Sequence, residues 1–207
     1  LAVYTGEHAV EVLRNQAVDV VVTDLKLEGR VDGLGVLREA RQHDGSTEVI
    51  LITAYATIEN CTFTDNTAIT GGGFYCFLSS PMLTNCTLAD NAASSGGGFY
   101  CIHLSSPTLT NCSLRGNSAH DAGAIYCDFD TSPTMTNCTL SGNRAYRLGG
   151  GVFCADSNST LTDCTLSGNS AHHDGGGVFC SSSTLRLTNC TLSGNSASRD
   201  GGGIFCH

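Results

Sequence analysis

The feature that most constrains this chain is a pair of cysteine series held at two fixed phases. The motif Asn-Cys-Thr-Leu-x-x-Asn recurs with its cysteine at Cys61, Cys86, Cys112, Cys138, Cys164 and Cys190. A second motif, Gly-Gly-Gly followed by an apolar pair and cysteine, places Cys76, Cys101, Cys127, Cys154, Cys180 and Cys206. Both series step by 25 to 27 residues and together hold all twelve cysteines. A period of that size marks a repeat architecture, in which each repeat buries its apolar face against the next.

Within each period the residues read as three short β pieces, such as Leu187–Leu192, Gly176–Cys180 and Ser183–Leu187. β-branched residues lie inside the pieces and Ser-Gly-Asn or Asp-Gly-Gly between them, which argues strands joined by turns. Three strands in about 26 residues, stacked coil upon coil, predict a parallel β-helix over 58–207. Stacking turns each repeated position into a column about 4.8 Å per step. Leu88, Leu114, Leu140, Leu166 and Leu192, with Phe63, share parity with the first cysteines and are expected to point inward. Phe74, Phe99, Ile125, Val152, Val178 and Ile204 share parity with the second series and are expected there too. Asn66, Asn91, Asn117, Asn143, Asn169 and Asn195 are expected to form an asparagine ladder at a turn.

This pattern resembles the right-handed parallel β-helix repeat proteins, among them the repeats of chlamydial polymorphic outer membrane proteins. The shared elements are Phe63-Thr64-Asp65-Asn66, Leu in place of Phe63 in later coils, and Gly-Gly-Gly-Phe or Ala122-Gly123-Ala124-Ile125. The resemblance implies a solenoid of about six coils. It says little of function, since such solenoids serve as adhesins, lyases, hydrolases and scaffolds.

Residues 1–57 differ in kind. They lack cysteine and alternate apolar strands with charged helices. Leu1–Thr5, Val18–Asp24 and Glu48–Ala54 read as strands, and Gly6–Asn15 and Asp32–His43 as helices with Asp32 an N-cap. That alternation predicts a parallel sheet, so the whole chain reads as mainly β, preceded by a partial α/β flavodoxin-like segment. The segment resembles the middle of a response-regulator receiver domain. The resemblance makes Asp24 the candidate phosphoacceptor and Thr53 the candidate switch hydroxyl, with Asp24-Leu25-Lys26-Leu27 and Asp32-Gly33-Leu34 matching the following loop and helix. The family's Mg²⁺-holding acidic pair would precede Leu1, and its fifth strand and lysine give way to the first β-helix coil. Phosphoryl transfer depends on that positioning and metal charge. The segment is therefore expected to be an inactive, receiver-derived cap on the solenoid. Mg²⁺ and a histidine kinase enter only if it works.

Candidate chemistry in the solenoid is sparse. The cysteines lack CxxC spacing, which tells against zinc. They read as buried thiols filling the bore, or as disulfides between neighbouring coils. His172-His173-Asp174, His120-Asp121 and Arg199-Asp200 share a turn phase and read as a solvated loop. No strand carries the paired carboxylates of glycoside hydrolysis, and Asp163 stands where other coils have Asn. No catalytic residue, metal or other cofactor is therefore assigned, and a carbohydrate-active enzyme ranks last. Tyr75, Tyr100, Tyr126, Phe153, Phe179 and Phe205 have outward parity and form the candidate binding stripe. Asn-Cys-Thr/Ser triplets at Asn60, Asn85, Asn111, Asn137 and Asn189 match the glycosylation pattern as a by-product of the repeat.

The net charge of −9, with Lys26 the single lysine, tells against nucleic acid and anionic membranes. No apolar run is long enough for a membrane span. The expected function is a non-enzymatic scaffold presenting an extended surface to a protein or carbohydrate. The alternative is a phosphorelay response-regulator fusion modified on Asp24. A receiver implies cytoplasm, whereas β-helix repeats of this composition imply export to the cell surface.

Overall fold

The computed structural model describes residues 5–16, 20–24, 30, 31, 35, 36, 38–40, 48–52 and 56–207, with 20–24 and 48–52 described as backbone. The chain divides into two compact units, Leu1–Ala56 and Thr57–His207.

In the first unit, helix α1 spans Gly6–Asn15, the range the sequence predicts. Thr5 caps it, its hydroxyl accepting from the His8 N–H at 3.3 Å. Strands β1, Val20–Asp24, and β2, Glu48–Ile52, pair in parallel from Val20↔Glu48 to Asp24↔Ile52. Residues 18, 19, 53 and 54 of the two predicted strands lie outside the described residues, and the predicted strand ending at Thr5 has only Thr5 inside them. Residues 35, 36 and 38–40 are helical within the predicted second helix. Leu13, Val36 and Ala40 are buried together, with Ala9 and Val31 against them. Arg14 bridges to Glu39 at 2.6 Å.

The second unit is a right-handed parallel solenoid of about six turns. Each regular coil contributes four strands, one more than the sequence suggests. One coil runs Thr134–Thr136, Thr139–Ser141, Arg144–Ala145 and Val152–Ala155. These lie on four faces, A to D in that order. Faces A, B and D are six-stranded and face C five-stranded, every pairing being parallel. The predicted piece Leu187–Leu192 is two strands, Thr184–Thr188 on face A and Thr191–Ser193 on face B. Between them the chain turns at Asn189, whose φ of 53° is left-handed. Asn60, Asn85, Asn111, Asn137 and Asp163 turn the same corner in the other coils. Asn and Asp tolerate that conformation because their side chains bond locally. The fourth strand, on face C, is a segment of two to four residues after each ladder asparagine from Asn91 onward, such as Arg144–Ala145 and Ser170–Ala171. It is too short and too small to show a β pattern in sequence.

The bore is built from the two predicted columns and from a third, the inward residues of face A, that the sequence reading does not include. Leu83, Leu88, Leu109, Leu114, Ile125, Met135, Leu140, Leu161 and Leu166 are fully buried, with cysteines of both series between them. Burying each such side chain contributes roughly 2 kcal/mol. The same columns are partly exposed in the first and last coils, where Phe63, Phe74, Leu185, Leu187 and Leu192 pack against the core. Close approach at the C-to-D corner explains the Gly-Gly-Gly runs. A Cβ on Gly150 would meet the carbonyl oxygens of Gly176 and Ser170 in the next coil.

The asparagine ladder forms as expected. Asn91, Asn117, Asn143 and Asn169 are completely buried. Each ladder amide donates to the next asparagine's Oδ1 and to a leucine or phenylalanine carbonyl of the preceding coil, as Asn117 does to Asn143 at 3.0 Å and to Leu88 at 2.9 Å. A second, exposed ladder runs along the A-to-B corner through Asn60, Asn85, Asn111 and Asn137, with steps of 2.8 to 3.2 Å.

Candidate interaction surface

The predicted outer aromatic column is present on face D. Tyr75, Tyr100, Tyr126, Phe153, Phe179 and Phe205 stack ring on ring, with centroids 4.6 to 5.5 Å apart and planes within 17° of parallel. In-register pairing enforces this, since each ring sits directly over its neighbour. The column is not open along its length. Phe153 and Phe179 are only 7% and 6% exposed, packed with Ala122 and near Leu148 of the C-to-D turns. Tyr75 is 49% exposed. The predicted stripe therefore narrows to its first coils. Tyr126 is held further by a 3.1 Å hydrogen bond from its hydroxyl to Asp128. Burial, with the nearby Asp128 charge, pushes its phenol well above the usual tyrosine range.

Around the D-to-A corner the structure adds residues that the sequence reading passed over. Phe77, Leu78, Met82, Leu104 and Phe129 are all about half exposed or more. His103 lies between the two phenylalanines, edge-on to Phe77 at 5.1 Å and stacked on Phe129 at 4.8 Å. Leu78, His103, Leu104 and Phe129 adopt left-handed φ angles near 50°, which turn their side chains at a tight corner. Such backbone is costly for bulky residues. A signal was there to find. Residues after the second cysteine are apolar in the early coils, Phe77-Leu78 and Ile102-His103-Leu104, and small or acidic later, Ala155-Asp156 and Ser181-Ser182.

The turn histidines also fall into a column, His120, Tyr146 and His172, with centroids 5.5 Å apart. It flanks a shallow groove whose floor is the small residues of face C, Ala119, Ala145, Ser170 and Ala171. Asp121 is already engaged there. Arg147 holds it with two 2.9 Å hydrogen bonds and His120 lies 3.2 Å away. Asp174 accepts a hydrogen bond from the Asp200 N–H.

Asp24 closes strand β1 opposite Ile52. Thr53 lies outside the described residues, as do Lys26, Asp32 and Leu34. The structure therefore does not bring the two receiver candidates into one described site.

The family model for the right-handed β-helix region matches residues 47–207. The chain belongs to the right-handed β-helix family. A second match, to the response regulator receiver domain, covers residues 1–68. The two overlap at 47–68, and pairing divides that stretch. Glu48–Ile52 joins β1, whereas Thr57–Glu59 and Thr62–Thr64 pair with the second coil of the β-helix. No curated protein and no solved structure gives a match. Among the described residues, no helix is long and apolar enough to cross a membrane.

Proposed function

We propose that this chain is a non-enzymatic β-helix scaffold that presents the apolar corner of its first three coils to a protein or carbohydrate partner. One observation carries the reading. Tyr75, Phe77, Leu78, Met82, Leu104 and Phe129 expose large apolar side chains on adjoining strands and turns of consecutive coils. An apolar patch kept open on a rigid surface is a recognition feature, and aromatic anchors dominate such contacts. The ring column beneath Tyr75 fixes the patch against collapse. The test compares the parent chain with a Tyr75→Ser/Phe77→Ser/Phe129→Ser variant on a glycan array and in affinity isolation from whole-cell extract. Capture falls by about tenfold or more if the corner is the contact surface. Equal capture by a variant with unchanged far-ultraviolet circular dichroism would sink the reading.

A second reading is a phosphorelay fusion. Support comes from the receiver-domain match and from the parallel pairing that sets Asp24 at a strand end. Against it stands the absence of any lysine after β2, because Lys26 is the single lysine in the sequence. Receiver chemistry needs that cation beside the phosphoryl group.

A further inference from the structure

The outward residues of face C form a column, Ala92, Ser118, Arg144, Ser170 and Ser196, one per coil and in register. Alternation sets Arg144 outward and its neighbour Ala145 inward. Arg144 is the single long side chain of that column. Its small neighbours in the coils above and below leave open space on either side. The groove of face C therefore falls into two hollows that share Arg144 and Tyr146. The first, about 230 Å³, is lined by Arg144, Tyr146, Ser170, His172, Ser196 and Ser198, with alanines between them. The second, about 290 Å³, reaches Ser118 and His120 on the other side.

The donors of the first hollow are unengaged. Among the described residues, the side chains of Arg144, Ser170, Ser196 and Ser198 and the hydroxyl of Tyr146 make no hydrogen bond. Neighbouring cations differ. Arg147 donates two hydrogen bonds to Asp121, and Arg115 lies 3.9 Å from Asp90. No described carboxylate lines either hollow. The acids of this region, Asp121, Asp174 and Asp200, come later in their coils. Arg147 holds the first, and Asp174 accepts from the Asp200 N–H. The chain carries a net charge of −9, yet three of the solenoid's five arginines, Arg144, Arg147 and Arg199, fall on face C and its turns.

We propose that the hollow at Arg144 binds a tetrahedral oxyanion, the sulfate or phosphate group of a free ion or of a sugar ester. The guanidinium presents its N–H donors as a planar fork that meets such oxygens two at a time. Ser170 and Ser196 belong to the next two coils, and Tyr146 to the outward column beside Arg144, so donors approach from more than one side. An oxyanion with oxygens in every direction meets them together, whereas a planar carboxylate meets only some. His120 and His172 flank the Tyr146 ring with centroids at 5.5 Å, which leaves its edge and hydroxyl for the ligand. A sugar would therefore meet this site through polar contacts and not through a ring face. The site is on face C, apart from the apolar D-to-A corner, and does not depend on that corner having a partner.

The experiment titrates the full chain, isotope-labelled in its arginine side chains, with sodium sulfate, sodium phosphate, a glucose sulfate ester, glucose and sodium acetate at constant ionic strength. The readout is the Nε–H nuclear magnetic resonance signal of Arg144, assigned through the backbone. A saturable shift is expected with sulfate and phosphate, a weaker one with acetate and none with glucose. Equilibrium dialysis of radiolabelled sulfate then compares variants. Arg144→Gln is expected to weaken binding by about tenfold or more, because a charge-assisted pair of hydrogen bonds is lost. Arg186→Gln, on face A, is expected to leave it unchanged. Tighter binding of the glucose ester than of sulfate would assign the site to a sugar ester, and equal or weaker binding to the free ion. No saturable shift at Arg144, an equal shift with glucose, tighter binding of acetate than of sulfate, or unchanged affinity in folded Arg144→Gln would each overturn the proposal. The titration uses the unaltered chain, so it decides even if a variant fails to fold.

Discussion

Replacing Asn117 by alanine takes a side chain from the middle of the buried ladder and removes four hydrogen bonds. Two are donated by Asn117, to Leu88 O at 2.9 Å and Asn143 Oδ1 at 3.0 Å. Two are accepted by its Oδ1, from the N–H and the side-chain amide of Asn91, both at 3.0 Å. At about 1 kcal/mol net per bond, the loss is about 4 kcal/mol. It falls where no water replaces it, because Asn91, Asn117 and Asn143 are fully buried. Asn195 supplies the comparison. It is half-buried and makes three such bonds, to Leu166 and from Asn169. Asn195→Ala should therefore cost roughly half as much, about 2 kcal/mol. Asn117→Asp tests the donors alone. It keeps the acceptor for Asn91 but sets a carboxylate against two oxygens, so its penalty should be larger at neutral pH than in acid. Urea unfolding followed by circular dichroism gives the midpoints. A loss below about 1 kcal/mol for Asn117→Ala, or equal losses at Asn117 and Asn195, would refute the ladder's role.

Other outcomes follow from the same geometry. Gly150→Ala should destabilise by about 3 kcal/mol or more, since its Cβ meets main chain of the next coil, whereas Gly142→Ala, with nothing within 4 Å, should cost only about 1 kcal/mol for its left-handed φ; thermal unfolding of the two variants compares them. Tyr126 ionises later in the fold than in the unfolded chain, chiefly through burial and then the Asp128 charge. Stability is therefore full below the ordinary tyrosine value of 10.0 and declines as pH rises above it. Tyr126→Phe should flatten that decline in urea midpoints taken from about pH 8 to 11; an unchanged slope would contradict it.

Much of the solenoid is legible because the repeat writes each column many times over. Leu88, Leu114 and Leu140 share parity with their cysteines, and a one-residue slip would turn them all outward. The ladder is legible for the same reason, since a small polar residue fixed after each leucine strand has to be satisfied by its own copies. What escapes the sequence is local or made by packing. Asn85 and Asn189 look like strand residues until their left-handed φ splits one piece into two faces. Ser196–Ala197 is a strand through its neighbours' hydrogen bonds and not through propensity. The aromatic stripe is right in parity and wrong in extent, because parity cannot show that turn residues close over Phe153 and Phe179. Phe129 and Leu104 went unread as surface, since their orientation depends on corner backbone that no alternation predicts.

The scaffold and phosphorelay readings part most directly on phosphoryl transfer to Asp24. Intact mass of folded chain after incubation with Mg²⁺ and a small phosphodonor, with Asp24→Asn as control, measures it. The scaffold reading predicts no adduct, because no lysine follows the strand Glu48–Ile52 and the chain enters the first solenoid strand at Thr57. A phosphoryl adduct present in the parent and lost in Asp24→Asn would contradict it and place signalling in residues 1–57.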